Sequence, residues 1–210
     1  MRGAGLSKST EGKAQPPPTL CEEERVIPDV TFVKTPEPVA RRMLELSRLR
    51  VGETLYDLGS GDGIILILAA RDFGARAVGI EVREDLVQKS RRKVRELGLD
   101  GLVKVIQGDF FDIPLSEANV VTLYLLTKVN ADLKPKLEKE LRASARIVSH
   151  DYRIPGWNLA KGERMSSARM HSILLYRSEE IQRACPVGRL VRSLLCTRQS
   201  TSQIRSPGMR

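Results

Sequence analysis

Residues 54–70 read TLYDLGSGDGIILILAA, and this stretch decides the fold. A short apolar segment, Thr54 to Leu58, runs into Gly59, Gly61 and Gly63 at every second position, and an apolar run from Ile64 to Ala70 follows. The pattern is strand, tight loop, helix. Glycine serves a loop whose backbone must turn sharply and approach a ligand with no Cβ in the way. The helix behind such a loop points its first N–H groups at whatever lies over it.

Spacing separates the ligands that use such loops. A dinucleotide fingerprint needs glycines at first, third and sixth positions. Counting from Gly59 the sixth position is Ile64, and from Gly61 it is Leu66. No Lys-Ser/Thr pair follows the loop, which excludes a P-loop. The order acid-x-Gly-x-Gly-x-Gly, with Asp57 as the acid, is that of the S-adenosyl-L-methionine loop of Rossmann-like methyltransferases. A plain strand–helix turn or another nucleotide site shares this local pattern, so the loop needs support from elsewhere in the chain.

Upstream, residues 1–28 are polar and contain Pro16-Pro17-Pro18, which predicts a disordered or extended lead-in. Asp29 to Thr35 is a short extended segment. Pro36 and Pro38 sit where a helix starts, with Thr35 as its N-cap, and Val39, Met43, Leu46 and Leu49 recur at helical spacing. Downstream, the helix from Ile64 ends at Gly74, and Ala77 to Glu81 is a second apolar strand. Glu84 to Leu97 is an amphipathic helix, with Leu86, Val87, Val94 and Leu97 inward and five basic residues on an outward, solvated face. Strands are predicted at Leu102–Ile106, Val120–Leu126, Arg146–His150 and Ser172–Tyr176. A further helix is marked by Leu133, Leu137 and Leu141. This alternation predicts an α/β, Rossmann-like domain over residues 29–177, a mostly parallel twisted sheet with helices on both faces. A basic, Arg-rich tail follows over 178–210.

Ligands of such sheets sit outside the carboxyl ends of the strands. Gly59–Gly63, Glu81, Asp109 and Leu125–Asn130 all fall at those ends. If the ligand is S-adenosylmethionine, each has a job. Asp57 offsets the positive methionine end, and the backbone of Gly59, Ser60 and Gly61 approaches the ribose and methionine. Glu81 holds the ribose hydroxyls, Asp109 accepts from the adenine amino group, and Phe110 packs on the ring. Taken singly, Glu81 also reads as a surface acid and Asp109 as a turn residue after Gly108. Three acids in order at three successive strand ends favour the cofactor. Methyl transfer to an amine requires the amine neutral, although a lysine has a reference pKa near 10.4. Candidate partners for that step are Thr127, Asn130, His150 and Asp151, each of which also reads as a loop polar group or cap.

From Asp29 to Arg177 the chain resembles the small archaeal protein lysine methyltransferases. It is more distantly similar to the eukaryotic enzymes that methylate a lysine of the membrane-ring protein of ATP synthase. The motifs are TPEPVARRML (35–44), YDLGSGDG (56–63), AVGIEV (77–82), GDFFDI (108–113), LLTKVNADLKPKLEKEL (125–141) and RIVSHDYRIPGWN (146–158). The resemblance implies a class I methyltransferase that acts on lysine side chains of several proteins, with DNA-associated proteins among the expected partners. It places Asp57, Gly59, Gly61, Glu81 and Asp109 at the family's cofactor positions. It also packs the segment before the first helix, including Phe32, Thr35 and Pro36, over the cofactor. Ile64 stands where the family usually has arginine, Lys34 where proline is usual and Lys128 where the archaeal members have asparagine. Tyr152 and Pro155 depart near the substrate mouth.

Composition bounds the alternatives. The net charge is +9, and Ile181 to Arg210 holds six arginines and no acid, a surface suited to nucleic acid. Cys21, Cys185 and Cys196 are scattered and odd in number, which predicts reduced thiols and a cytoplasmic protein; they form no metal pair, and no metal site is expected. No apolar run reaches the roughly 20 residues of a membrane span. A nucleic-acid methyltransferase suits the tail, but residues 125–128 read LLTK where amino-methylating members carry Asn/Asp-Pro-Pro-aromatic. A non-catalytic cofactor-binding protein with a basic tail is the third reading.

Overall fold

The computed structural model describes residues 32–184. The lead-in expected over 1–28, the three cysteines and most of the basic tail lie outside them. In chain order the elements are α1 (Glu37–Leu46), β1 (Thr54–Leu58), α2 (Ile64–Phe73), β2 (Arg76–Glu81), α3 (Glu84–Glu96) and β3 (Val103–Gln107). Then come β4 (Val120–Leu123), α4 (Thr127–Glu140), β5 (Arg146–His150), β6 (Lys161–Ser167), β7 (Arg169–Arg177) and α5 (Ser178–Ala184). The seven strands form one sheet in the order β3-β2-β1-β4-β5-β7-β6. β1 to β5 pair in parallel, and β7 joins β5 and β6 antiparallel. The strand order reverses between β1 and β4, the switch point outside whose carboxyl ends ligands of such sheets bind.

Period-two alternation sends neighbouring residues to opposite faces of the sheet. Leu55, Val120 and Val148 join one core with Val39 and Met43 of α1, Leu66 of α2 and Val87 of α3. Tyr56, Val121 and Ile147 join a second core with Leu133 and Leu137 of α4 and Ile181 of α5. Two buried layers explain why β4 reads as a near-continuous apolar run.

Several local expectations change. Thr35 does not cap α1: Pro36 holds that position, with no side-chain cap bond. β4 ends at Leu123, three residues early, and Tyr124 to Leu126 are irregular chain before α4. Leu97 is half exposed rather than inward, because α3 stops at Glu96. The basic face of α3 is not all solvated, for Arg91 donates to the Val105 carbonyl at 2.8 Å and Lys93 pairs with Asp62 at 2.7 Å. β6 was unforeseen. It is a polar edge strand, and Arg42 of α1 fastens it through a bidentate pair to Glu163 at 2.7 and 2.9 Å. The compact part also runs past Arg177. α5 buries Ile181, and Gln182 donates to the Leu141 carbonyl at 3.0 Å.

Candidate active site

The glycine loop is built on left-handed backbone: φ is 79° at Gly59, 52° at Gly61 and 82° at Gly63. Side-chain-bearing residues avoid this region at three successive odd positions. The N–H groups of Gly59 and Ser60 both donate to the Ile80 carbonyl, at 2.9 and 3.0 Å, which presses the loop onto the end of β2. The Phe32 ring covers Gly61 so closely that a Cβ there would overlap it, and Leu125 lies 3.1 Å from where a Gly59 Cβ would stand. Phe32 and Leu125 thus close over the loop from two sides.

Asp57 is buried on β1, opposite Thr122 of β4 in register, and its Oδ1 accepts from the Thr122 hydroxyl at 2.7 Å. No ion pair neutralises it among the described residues. Burial pushes its carboxyl up to about 7, with the Thr122 hydroxyl opposing and Glu81 adding to the rise. A buried acid of this kind is unmatched until a cation arrives. Glu81 has a second task that the sequence did not reveal. Its Oε2 accepts from the Gly61 N–H at 2.9 Å and its Oε1 from the Arg83 N–H at 3.0 Å, so it pins the loop it was expected to serve. Each carboxylate oxygen retains a second lone pair for a hydroxyl. Asp109 is half-buried at the end of β3 and accepts from the Phe111 N–H at 2.8 Å, a turn bond of the kind its neighbour Gly108 suggested. Phe110 is half-buried against the second core.

A second group of residues assembles at the tips of β4, β5 and β7. Asn130 is fully buried on α4, and its Nδ2 lies 3.2 to 3.4 Å from the carbonyls of Leu125, Tyr152 and Arg153. It ties the β4 exit to the β5 exit, while its Oδ1 has no partner among the described residues. Thr127 opens α4 and is exposed. His150 ends β5, is fully buried, and meets Thr35 (Nδ1 to Oγ1, 3.5 Å) and His171 of β7 (Nε2 to Nδ1, 2.8 Å). Burial pushes its imidazole down to about 4, only partly opposed by Asp151. Asp151 has φ 61°, and its Oδ1 accepts from the Ser172 N–H at 2.7 Å. Burial alone would raise this carboxyl, but that N–H and the Arg169 guanidinium outweigh it and hold it below the usual range. The Tyr124 ring lies 3.9 Å from the His150 ring, and Arg169 reaches the Tyr124 hydroxyl at 2.6 Å and Asp151 Oδ2 at 2.7 Å.

The sheet therefore brings Phe32, Asp57, Gly59, Ser60, Gly61, Glu81 and Leu125 together, and it gathers Thr35, Asn130, His150 and Asp151 beside them. Pro36 is half-buried at the start of α1. Among the described residues, the side chains of Thr127 and Asp109 make no hydrogen bond or ion pair with either group. Sequence reasoning missed Thr122, Tyr124, His171 and Arg169. His171 gave no local signal, since the contact of the chain's two histidines follows only from the pairing of β5 with β7. A cavity of about 180 Å³ lined by Arg42, Arg146, Lys161 and Arg177 lies at the opposite ends of β5 and β7, away from the glycine loop.

The model of the ANTKMT methyltransferase domain matches residues 57–161. The chain belongs to this methyltransferase family. A protein-lysine N-methyltransferase of Saccharolobus islandicus is 43% identical over 152 residues, 71% of this chain and 94% of the relative. The adenine nucleotide translocase lysine N-methyltransferase of Mus musculus is 34% identical over 61% of this chain and 56% of its own length. Among solved structures, an RNA methyltransferase from Salinibacter ruber in complex with S-adenosyl-L-homocysteine is 44% identical, with a TM-score of 0.68, over 70% of this chain and 95% of that one. The cofactor of this ANTKMT methyltransferase domain is S-adenosylmethionine. The residues present fit it: an unneutralised buried Asp57, a Ser60 Oγ with no partner among the described residues, and a loop with no room for Cβ atoms.

Proposed function

We propose that this ANTKMT methyltransferase domain is an S-adenosylmethionine-dependent protein-lysine N-methyltransferase of broad protein specificity. One observation carries the lysine reading: the archaeal relative that bears this activity in its name is matched over 94% of its length at 43% identity. The cofactor supplies an already activated methyl group, so the protein's work is alignment and exclusion of water. Asp57, Gly59, Ser60, Gly61 and Glu81 bind the cofactor in this proposal, with Phe32, Thr35, Pro36 and Leu125 covering it and Asp109 and Phe110 at the adenine. Asn130 sets the distance between the β4 and β5 exits. Thr127, His150 and Asp151 are the groups proposed beside the incoming amine. The neutral His150 imidazole adds no positive charge where a lysine must lose its proton.

A nucleic-acid substrate is the second reading, favoured by the Salinibacter ruber neighbour and by the arginines after Ile181. The loop after β4, Tyr124 to Thr127, lacks the Asn/Asp-Pro-Pro-aromatic order of amino-methylating nucleic-acid enzymes. DNA-associated proteins as targets and a cytoplasmic location go with the first reading. No described helix is long and apolar enough to cross a membrane.

The deciding experiment incubates the protein with labelled S-adenosylmethionine and a mixed lysate, followed by mass spectrometry. Label on lysine side chains of several proteins supports the proposal. Label on RNA or DNA moves the assignment to the second reading. No transfer despite cofactor binding leaves the non-catalytic one.

A further inference from the structure

We infer that His150, Asp151 and His171 form a binding site for a single divalent transition-metal ion of the zinc type. Three ligand atoms converge. His150 Nε2 and His171 Nδ1 are 2.8 Å apart, and Asp151 Oδ2 is 3.4 Å from the first and 3.8 Å from the second. Zinc bonds to histidine and carboxylate are about 2.0–2.1 Å long, so the edge of a tetrahedral site is roughly 3.3 Å. The three separations straddle that edge. Two nitrogens and one oxygen are a zinc-type donor set, which leaves the fourth position to water or another ligand.

The outer atoms of the same three side chains are what single out this cluster. Metal-ligating groups commonly have their far side held by a carbonyl, carboxylate or other polar partner. His171 Nε2 faces the Ser167 carbonyl at 3.1 Å, which only accepts, so the proton sits on Nε2 and the Nδ1 lone pair faces inward. His150 Nδ1 faces the Thr35 hydroxyl at 3.5 Å, and Asp151 Oδ1 is occupied by the Ser172 N–H at 2.7 Å. All three ligands are thus held from behind, with inner atoms on a common point. His150 is fully buried and His171 nearly so. Without a metal, the contact between the rings is one hydrogen bond, from His150 Nε2–H to His171 Nδ1. With a metal, the His150 proton moves from Nε2 to Nδ1, where Thr35 Oγ1 accepts it. No proton is gained or lost by the pair.

Arg169 stands at the entrance. Its Nη2 lies 2.7 Å from Asp151 Oδ2, and half of its side chain is in solvent. In the metal-free protein it satisfies the carboxylate, and it can swing out or keep the second lone pair of that oxygen when an ion arrives. The ion would fasten the β5 exit to the β6–β7 hairpin and take up His150 and Asp151, so that those two groups stand beside the incoming amine only in the metal-free protein.

The test uses untagged, full-length protein labelled with ¹⁵N-histidine, in which the two histidines give two ring systems without any substitution. Zn²⁺ is added to the wild type and to a variant carrying Cys21→Ser, Cys185→Ser and Cys196→Ser. The expected result is saturation at one equivalent in both, with His150 Nε2 and His171 Nδ1 shifting as metal-bound nitrogens. His171→Ala should weaken Zn²⁺ binding on the order of 100-fold or more. Unchanged ring signals in the wild type at saturating Zn²⁺, or binding that disappears with the cysteines, overturn the inference. The readout does not involve methyl transfer or cofactor, so it stands or falls apart from the proposed function.

Discussion

The two halves of the candidate site are built differently. At the tips of β1 and β2 the site is mostly backbone. Three positive-φ glycines, a loop bonded to Ile80 and one carboxylate, Glu81, hold the ribbon in place over a short span of chain. At the tips of β4, β5 and β7 it is mostly side chain. Thr35 meets His150, His150 meets His171, and Arg169 meets Tyr124, contacts that join distant parts of the sequence. A backbone-built cradle suits a ligand that every member of a methyltransferase family shares. A side-chain-built wall can be altered residue by residue, which suits the part of the site that meets the substrate.

The largest effect expected from breaking this comparison is on the backbone side. Gly61→Ala places a Cβ against the Phe32 ring at φ 52°, and should lower kcat/KM on the order of 100-fold through displacement of the loop. Calorimetry with S-adenosylmethionine should show binding lost while the far-ultraviolet spectrum is retained. Unimpaired binding would mean that the loop does not touch the cofactor.

Asp57→Asn comes next and separates function from stability. Its carboxyl is raised from 3.8 to about 7, so its proton stabilises the unliganded fold fully below about 4 and that contribution is lost as pH rises through about 7. The asparagine variant should melt higher than wild type at pH 8, where the wild-type acid is charged and buried. It should bind cofactor on the order of tenfold more weakly at pH 8, with the deficit shrinking at pH 6, where Asp57 already carries a proton. An equal deficit at both pH values would show that the charge is not what the cofactor uses.

Asn130→Ala tests the side-chain half. It leaves the Leu125, Tyr152 and Arg153 carbonyls without this donor and should cost about 1–3 kcal/mol of stability, seen in denaturant unfolding. A neutral result would mean that the two exits are held together by other contacts. The smallest effect belongs to Thr122→Val. Removing the hydroxyl that holds the Asp57 carboxyl down should move the pH at which cofactor binding weakens to a value above that of wild type. A downward move would contradict the assignment of that hydroxyl as donor.

The same division explains which parts were legible. The placement of Asp57, Gly59, Gly61 and Glu81 at neighbouring strand ends was readable because strand, loop and helix follow one another, and a short loop leaves few ways to fold. α2 and its Gly74 stop were equally plain. β6 was hidden because KGERMSS has no apolar alternation and becomes a strand only by pairing with β7. Thr35 looked like a helix cap, yet its hydroxyl turns to a histidine that no local rule could bring near.

The sequence by itself determined the order of strands and helices from α1 to β5, the glycine loop and the acids at three strand ends, since these follow from local spacing and periodicity. Only the tertiary structure decided that Glu81 braces the loop, that Asp57 is buried against Thr122, and that His150, Asp151 and His171 converge. Those outcomes depend on which strands lie side by side. Lateral order in a sheet is set by the packing of two whole layers of core, which no single stretch of chain records.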